Sequence, residues 1–158
     1  MPLPQDWRAF IESLNSHGVE YVVVGAVALA YHGFPRYTGD LDVLVRNSAE
    51  NAQRLEPALL DFGAGGLGLQ AADFTASYRV VQIGVAPVRI DILTSLTGVS
   101  FDEVWAGRVE TLVGETRVNF IGRGALILNK KLTGRAQDIA DLEKLSAPSH
   151  AERTEEPQ

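Results

Sequence analysis

The stretch that decides the fold is Val22–Val45, which reads VVVGAVALAYHGFPRYTGDLDVLV. Tyr21 to Val24 is a short run of β-branched and aromatic residues, which predicts a buried strand that Gly25 ends. The residues from Ala26 to His32 are good helix formers and predict a short helix. Leu41 to Val45 predicts a second strand. The order is therefore strand, glycine turn, short helix, strand.

Two carboxylates open the second strand of this stretch. Residues two apart on a strand share a face, so Asp40 and Asp42 should project together. Two carboxylates held side by side repel each other unless a cation lies between them, and hard cations such as Mg²⁺ prefer oxygen ligands. Taken alone, the pair is explained equally well as a strand end at which one aspartate caps a turn and the other is solvated.

A third carboxylate lies in a later apolar segment, Val88–Leu93, which reads VRIDIL. Val88, Ile90 and Ile92 would face the core, and Arg89 and Asp91 the opposite side. A charge within such a strand is unfavourable unless it is paired or binds a metal, and for Asp91 alone a salt bridge to Arg89 or Arg36 is the simpler interpretation. Together, the three aspartates predict a cluster of the kind that holds two metal ions about 3.5–4 Å apart for phosphoryl or nucleotidyl transfer.

The rest of the chain supplies further helices and strands around this unit. The patterns predict a mixed α/β (α+β) domain, with four or five strands in a small mixed sheet flanked by helices. We expect one domain over residues 1–146 and a disordered tail over residues 147–158. The predicted elements are a helix capped by Asp6, a helix over Ala49–Phe62 capped by Ser48, strands over Tyr78–Ile83 and Val88–Leu93, a hairpin of Val109–Val113 and Arg117–Ile121, and helices over Gly124–Leu132 and Ala136–Leu145.

Composition excludes several classes of site. The 158-residue chain contains no cysteine, so disulfides, thiolate metal sites and cysteine nucleophiles are impossible. The formal net charge of −6 disfavours a protein that binds nucleic acid non-specifically through its phosphates. The N-terminus has no signal-peptide pattern, and no apolar run is long enough to span a bilayer, so we expect a cytoplasmic protein with no membrane partner.

These motifs together resemble the DNA polymerase β-type nucleotidyltransferase superfamily, and within it the small bacterial proteins related to AbiEii toxins. The resemblance covers most of the chain up to Leu145. It rests on the glycine turn, the Asp-x-Asp strand preceded by His32-Gly33, Arg36 and Thr38, the third aspartate strand and a lysine helix. In this sequence these are Gly25-Ala26, Asp40-Leu41-Asp42, Arg89-Ile90-Asp91-Ile92-Leu93-Thr94-Ser95, and Asn129-Lys130-Lys131 followed by Gly134-Arg135, Asp138 and Asp141.

The resemblance implies a nucleotidyltransferase fold and an enzyme that uses Mg²⁺ or Mn²⁺ to move an NMP group from an NTP to a hydroxyl acceptor. Asp40, Asp42 and Asp91 would be the catalytic metal ligands. The residues that would contact the triphosphate are Gly25, Ala26, Arg36 and Lys130. The acceptor would be a protein, an RNA such as tRNA, or a small molecule. A toxin–antitoxin role, with an antitoxin partner or a homodimer, is implied by the resemblance alone.

Two other interpretations stay open. Ala26 stands where the superfamily usually has glycine or serine, which favours a pseudoenzyme that binds nucleotide without turning it over. Alternatively, the aspartates are solvated strand ends of a regulatory or interaction module. The sequence also favours a buried hydrogen-bonded His32 over a phosphate-binding one, and a solvated helix face that carries Asp138, Asp141, Glu143 and Lys144. An ordinary helix salt bridge between Arg135 and Asp138 or Asp141 fits the same spacing.

Overall fold

The computed structural model describes residues 2–35 and 37–146. Six helices and six strands follow one another along these residues, with two short 3₁₀ turns at Gly65–Leu67 and Ala71–Phe74. In chain order they are α1 (Gln5–Ser16), β1 (Tyr21–Val24), α2 (Gly25–Tyr31), β2 (Asp40–Val45), α3 (Ala49–Phe62), β3 (Val80–Ile83), β4 (Arg89–Leu93), α4 (Phe101–Ala106), β5 (Val109–Val113), β6 (Thr116–Phe120), α5 (Arg123–Thr133) and α6 (Ala136–Ser146).

The described strands form one sheet in the order β3-β4-β2-β1-β6-β5. β1 and β2 are antiparallel neighbours at its centre, β2 is parallel to β4, and β1 is parallel to β6. The β3-β4 and β5-β6 pairs are antiparallel and complete the two sides. The predicted mixed sheet is therefore confirmed, but it has six strands where four or five were expected, because both outer pairs join the central one.

The core lies between this sheet and the helices. α1 contributes an apolar stripe at helical spacing, formed by the buried residues Trp7, Phe10, Ile11 and Leu14. It packs on α3 and β6. Each such side chain contributes about 1.5–3 kcal/mol when it is removed from water. The β1 and β2 strands are almost wholly apolar because both faces of the sheet centre are covered.

Helix ends follow their local capping chemistry, with two corrections. The Ser48 side chain accepts a hydrogen bond from the Asn51 amide, as predicted for the start of α3. α1 starts at Gln5, after Pro4 and without a side-chain cap, so the assignment of Asp6 as its cap was wrong. α4 was not predicted at all, although Ser100 and Glu103 form a capping box at its start.

The two central strands position the candidate site. β1 ends at Val24, β2 begins at Asp40, and the two are joined by α2, so the glycine turn and the Asp-x-Asp pair meet at one edge of the sheet. Within residues 2–35 and 37–146, no helix has both the length and the apolar composition needed to cross a lipid bilayer. The predicted disordered tail, residues 147–158, lies outside the described residues.

Candidate active site

The three predicted aspartates come together because of the register between β2 and β4. In this parallel pair Asp42 stands beside Asp91, and Asp40 stands beside Arg89. Asp91 is buried, with 7% of its surface exposed. Asp40 and Asp42 share one face of β2, as the strand periodicity predicts. The carboxylates of the two strands are therefore forced into one neighbourhood by backbone pairing.

The Asp42 carboxylate is perturbed by its surroundings. Burial raises the pKa of Asp42 to about 6, and the charges of Asp91 and Asp40 act in the same direction. Its carboxylate lies against Gly25, where a Cβ atom would stand 2.2 Å from Asp42 Oδ2. Gly25 also has a φ of +69°, which favours glycine. The glycine turn thus makes room for the Asp42 carboxylate as well as reversing the chain.

Arg89 neutralises part of this cluster. Its Nη2 donates to Asp40 Oδ2 at 3.0 Å and to Asp91 Oδ2 at 3.3 Å. Its Nε lies 3.0 Å from Asp40 Oδ1 and 3.3 Å from Asp91 Oδ1. The salt bridge from Asp91 to Arg89, which was the simpler interpretation of Asp91 alone, is therefore present. It coexists with the convergence of the aspartates.

The carboxylate oxygens of this cluster suit a divalent cation, although the Arg89 guanidinium holds two of the three carboxylates. Among the described residues, no three His, Asp or Glu side chains stand as a ready-made metal site. Asp91 Oδ1 is nevertheless buried without a hydrogen-bond partner among the described residues. Clustered carboxylate oxygens, one of them orphaned, are the ligands that Mg²⁺ and Mn²⁺ prefer. The residues present therefore fit such an ion in their chemistry.

A cleft of about 570 Å³ opens beside the carboxylates. Its size lies within the usual range for small-molecule sites, about 300–1,000 Å³. The wall combines the glycine turn, the segment before β2, and the start of α6. The lining residues are Gly25, Ala26, Tyr37, Thr38, Gly39, Asp40, Asp42, Lys130, Arg135, Gln137 and Asp138.

Lys130 lies in the cleft wall but is engaged in a buried ion pair. Its Nζ donates to Asp141 Oδ2 at 2.7 Å and to Asp138 Oδ1 at 3.4 Å. The exposed fractions of the three side chains are 7%, 0% and 2% for Lys130, Asp141 and Asp138. The expected solvated face was therefore wrong for Asp138 and Asp141, whereas Glu143 and Lys144 are exposed as predicted. The reason is that α6 folds back on α5 after the turn at Gly134, which buries this face against Lys130.

Arg135 is the cleft residue that the sequence interpretation undervalued. The predicted salt bridge exists, since Nε donates to Asp138 Oδ2 at 2.7 Å. The Arg135 side chain is nevertheless 76% exposed, lines the cleft, and interacts electrostatically with Asp42. The sequence signal that could have identified Arg135 is its position directly after Gly134 and directly before α6, the helix whose aspartates pair with Lys130. Gln137 also lines the cleft and donates to Asp141 Oδ1.

The remaining predicted residues are placed as follows. Gly25 and Ala26 line the cleft. Arg36 lies outside the described residues, between Pro35 and the cleft residue Tyr37. His32 is partly buried and its Nε2 is 2.8 Å from the Ile121 carbonyl oxygen, which agrees with the predicted hydrogen-bonded histidine.

This geometry agrees with what the whole chain resembles. A family model described as a nucleotidyl transferase of unknown function (DUF2204) matches residues 4–155. The chain belongs to this nucleotidyltransferase family. The match bears out the nucleotidyltransferase part of the resemblance, whereas the AbiEii-type grouping stays a prediction.

Two solved structures share the fold of this chain. A candidate nucleotidyltransferase from Thermotoga maritima has a TM-score of 0.58 at 14% identity, covering 91% of this chain and 94% of that one. An antigenic nucleotidyltransferase-like protein from Paracoccidioides brasiliensis has a TM-score of 0.56 at 14% identity, covering 92% and 78%. Likeness at this identity establishes the fold alone, and the predicted nucleotidyltransferase fold is confirmed. No curated protein matches the chain.

Proposed function

We propose that this chain is a metal-dependent enzyme that moves an NMP group from an NTP to a hydroxyl acceptor and releases pyrophosphate. The observation that carries the proposal is the register that places Asp42 beside Asp91, with Asp40 on the same face, at the edge of a cleft large enough for a nucleotide. The family to which the chain belongs supports the same reaction class.

Asp40, Asp42 and Asp91 would hold Mg²⁺ or Mn²⁺. When bound, such an ion neutralises the charge that develops on the phosphoryl oxygens and lowers the pKa of a coordinated hydroxyl. Asp91, buried at the cluster, is the carboxylate we assign to the acceptor proton. The protein's own contribution is to keep three carboxylates together at the cleft, with Asp91 buried, since electrostatic interactions are stronger where water is excluded.

The triphosphate would lie along the cleft wall beside the carboxylates. Gly25 and Ala26 start α2, so their backbone N–H groups have no helical acceptor and can donate to phosphate oxygens. Arg135 offers an exposed guanidinium, a geometry well matched to phosphate. Lys130, acting from within its ion pair, and Arg36, which the resemblance implies, complete the proposed set.

The test follows both ends of the nucleotide. Full-length protein is incubated with Mg²⁺ or Mn²⁺, cell extract as the acceptor source, and each NTP labelled on the α- or γ-phosphate. We expect the α-label to move to protein or RNA and the γ-label to leave as pyrophosphate. Asp40→Asn should abolish transfer, whereas Asp61→Asn, a surface aspartate that pairs with His17, should not. Transfer of the γ-label to the acceptor would instead identify a kinase.

A second candidate function is a nucleotide-binding pseudoenzyme or regulatory module. Two observations favour it, namely Ala26 in the glycine turn and the Arg89 guanidinium on two of the three carboxylates. It predicts that nucleotide raises the melting temperature while neither label moves with any acceptor. Ala26→Gly is then the variant to test for recovered turnover.

The toxin–antitoxin role is the most specific part of the proposal, and it rests on the AbiEii-type resemblance alone. A catalytic toxin would arrest growth when expressed, and Asp40→Asn would relieve the arrest at equal protein levels. Growth arrest that persists in Asp40→Asn would separate toxicity from nucleotidyl transfer. Co-purification with a neighbouring gene product would identify an antitoxin partner, and sizing would identify a homodimer.

A further inference from the structure

Arg89 meets both oxygens of two different carboxylates. Nε and Nη2 lie 3.0 Å from the two oxygens of Asp40 and 3.3 Å from the two oxygens of Asp91. Backbone pairing produces this arrangement, because Arg89 stands beside Asp40 across the strands and two residues before Asp91 on its own strand. A guanidinium keeps its charge at every physiological pH. The cluster thus contains a permanent cation supplied by the chain.

We propose that Arg89 is the resident cation of the carboxylate cluster, which holds Asp40 and Asp91 in the metal-free protein and must leave them when a divalent cation binds. The affinity for metal is then set by competition with the chain's own arginine. This inference rests on the proposed function, since it takes Asp40 and Asp91 as metal ligands.

The competition follows from the oxygens that are shared. A Mg²⁺ ion needs carboxylate oxygens at about 2.0–2.1 Å. Each oxygen of Asp40 and Asp91 already faces a guanidinium nitrogen, and a divalent ion on the same oxygens would be repelled by that fixed charge. The Arg89 side chain is 33% exposed, so it has a route towards solvent.

The fit of Arg89 is also imperfect, as expected for a group that can be displaced. Among the described residues, Arg89 Nε and Asp91 Oδ1 are buried without a hydrogen-bond partner. The two atoms are 3.3 Å apart, which is close enough for a hydrogen bond, but the N–H does not point at the oxygen. Buried polar atoms are normally hydrogen-bonded, although Arg108 Nε, in an ion pair with Glu110, is a second exception among the described residues. Arg46 offers the contrast, since its Nε and Nη1 donate to Glu20 and Asp102 respectively.

The decisive experiment measures binding of Mn²⁺ alone, without nucleotide, to metal-stripped full-length protein by titration calorimetry. Arg89→Gln should bind Mn²⁺ at least tenfold more tightly than the wild type. Arg46→Gln is the matched control, because Arg46 also bridges two carboxylates at a similar exposure of 27%, and it should leave the affinity unchanged. If the wild type binds Mn²⁺ and Arg89→Gln binds it equally or more weakly, this inference is overturned and the proposed function is not.

Failure of the proposed function gives a different result, namely no binding of Mn²⁺ by either the wild type or Arg89→Gln, and it overturns both proposals. If Arg89→Gln does not fold, Arg89→Lys provides the test. Lysine keeps the charge but acts as a single point charge rather than a planar fork. We expect Arg89→Lys to bind Mn²⁺ more tightly than the wild type, and affinity equal to or weaker than the wild type would overturn the inference.

A spectroscopic readout follows the arginine itself. In ¹⁵N-labelled protein the Nε–H signal of Arg89 is assigned by its loss in Arg89→Gln. Titration with Mg²⁺ should move this signal towards the position of free arginine and leave that of Arg46 in place. An Arg89 signal that stays fixed while Mg²⁺ saturates the protein would show that the guanidinium remains on the aspartates, and would overturn the proposal.

Discussion

At the scale of single residues, Gly25 has two separate reasons to lack a side chain. Its backbone is left-handed, and an added Cβ would stand 2.2 Å from Asp42 Oδ2. Gly18 has nearly the same φ, +66°, but an added Cβ there would meet nothing within 4 Å. The two glycines therefore separate backbone strain from contact with the aspartate.

We expect Gly18→Ala to lower the free energy of unfolding by about 1 kcal/mol from backbone strain alone, at the lower end of the usual range for such strain. Gly25→Ala should lower the free energy of unfolding by about 1–3 kcal/mol more than Gly18→Ala does, because the Asp42 carboxylate must also shift. Urea unfolding of the two variants beside the wild type measures both terms. Equal losses in the two variants would show that the Asp42 carboxylate moves away freely and is not held against the turn.

Asp42 gives the second prediction at this scale. Its charge is unfavourable in the metal-free protein because it is buried, and the nearby charges of Asp91 and Asp40 act in the same direction. Asp42→Asn in EDTA at pH 8 should therefore melt at the same temperature as the wild type or higher. The added stabilisation by Mg²⁺ with nucleotide should disappear. A clear fall in the metal-free melting temperature would identify Asp42 as a structural ion-pair partner.

At the scale of elements, the α5-α6 hairpin is held by the buried group of Lys130, Asp138 and Asp141. Removing one partner from a buried ion pair leaves the other charges uncompensated, which typically destabilises a protein by about 3–5 kcal/mol. The α5-α6 pair also carries the cleft residues Arg135 and Gln137. The shape of one cleft wall thus depends on this ion pair.

Lys130→Ala should accordingly reduce the free energy of unfolding by about 3–5 kcal/mol. Lys131→Ala is the control, because Lys131 is the exposed neighbour, and such surface changes are usually within about 0.5 kcal/mol. Chemical denaturation measures both. Equal stability of the two variants would show that the Lys130 ion pair does not stabilise the hairpin. Activity of Lys130→Ala is therefore interpretable only at temperatures where the variant is folded.

At the scale of the whole molecule, acid stability depends on the same ion pair. Burial would raise the pKa of Asp138, but hydrogen bonds from Arg135 and Thr133 and the charges of Arg135 and Lys130 hold it well below its usual range. A carboxyl whose pKa is lowered by folding stabilises the protein above its unfolded pKa, about 3.9. That contribution is lost as the pH falls below this value.

We therefore expect Asp138→Asn to be less stable than the wild type at pH 7, with the difference shrinking as the pH is lowered through about 4. Urea unfolding at pH 7, 5 and 3.5 measures the trend. Asp61→Asn serves as the control, since Asp61 is 68% exposed and outside this cluster. A stability difference that is the same at all three pH values would mean that the Asp138 charge contributes nothing specific.

Much of the fold could be predicted from the sequence because its signals are local. The strand of Tyr21–Val24, the Ser48-capped helix and the aspartate pair on β2 follow from residue type and spacing within a few positions. The number of strands was underestimated, since joining the outer hairpins to the centre is a long-range choice. α4 was missed although its capping box is written in the sequence.

The sequence by itself determined the residue types of the candidate site, the shared face of Asp40 and Asp42, and the nucleotidyltransferase fold that these motifs indicate. Only the tertiary structure decided that Asp91 stands beside Asp42, that Arg89 spans two carboxylates, and that Lys130 is buried against Asp138 and Asp141. The physical reason is that side-chain alternation is a property of one strand, whereas register and burial depend on which distant segment packs against it.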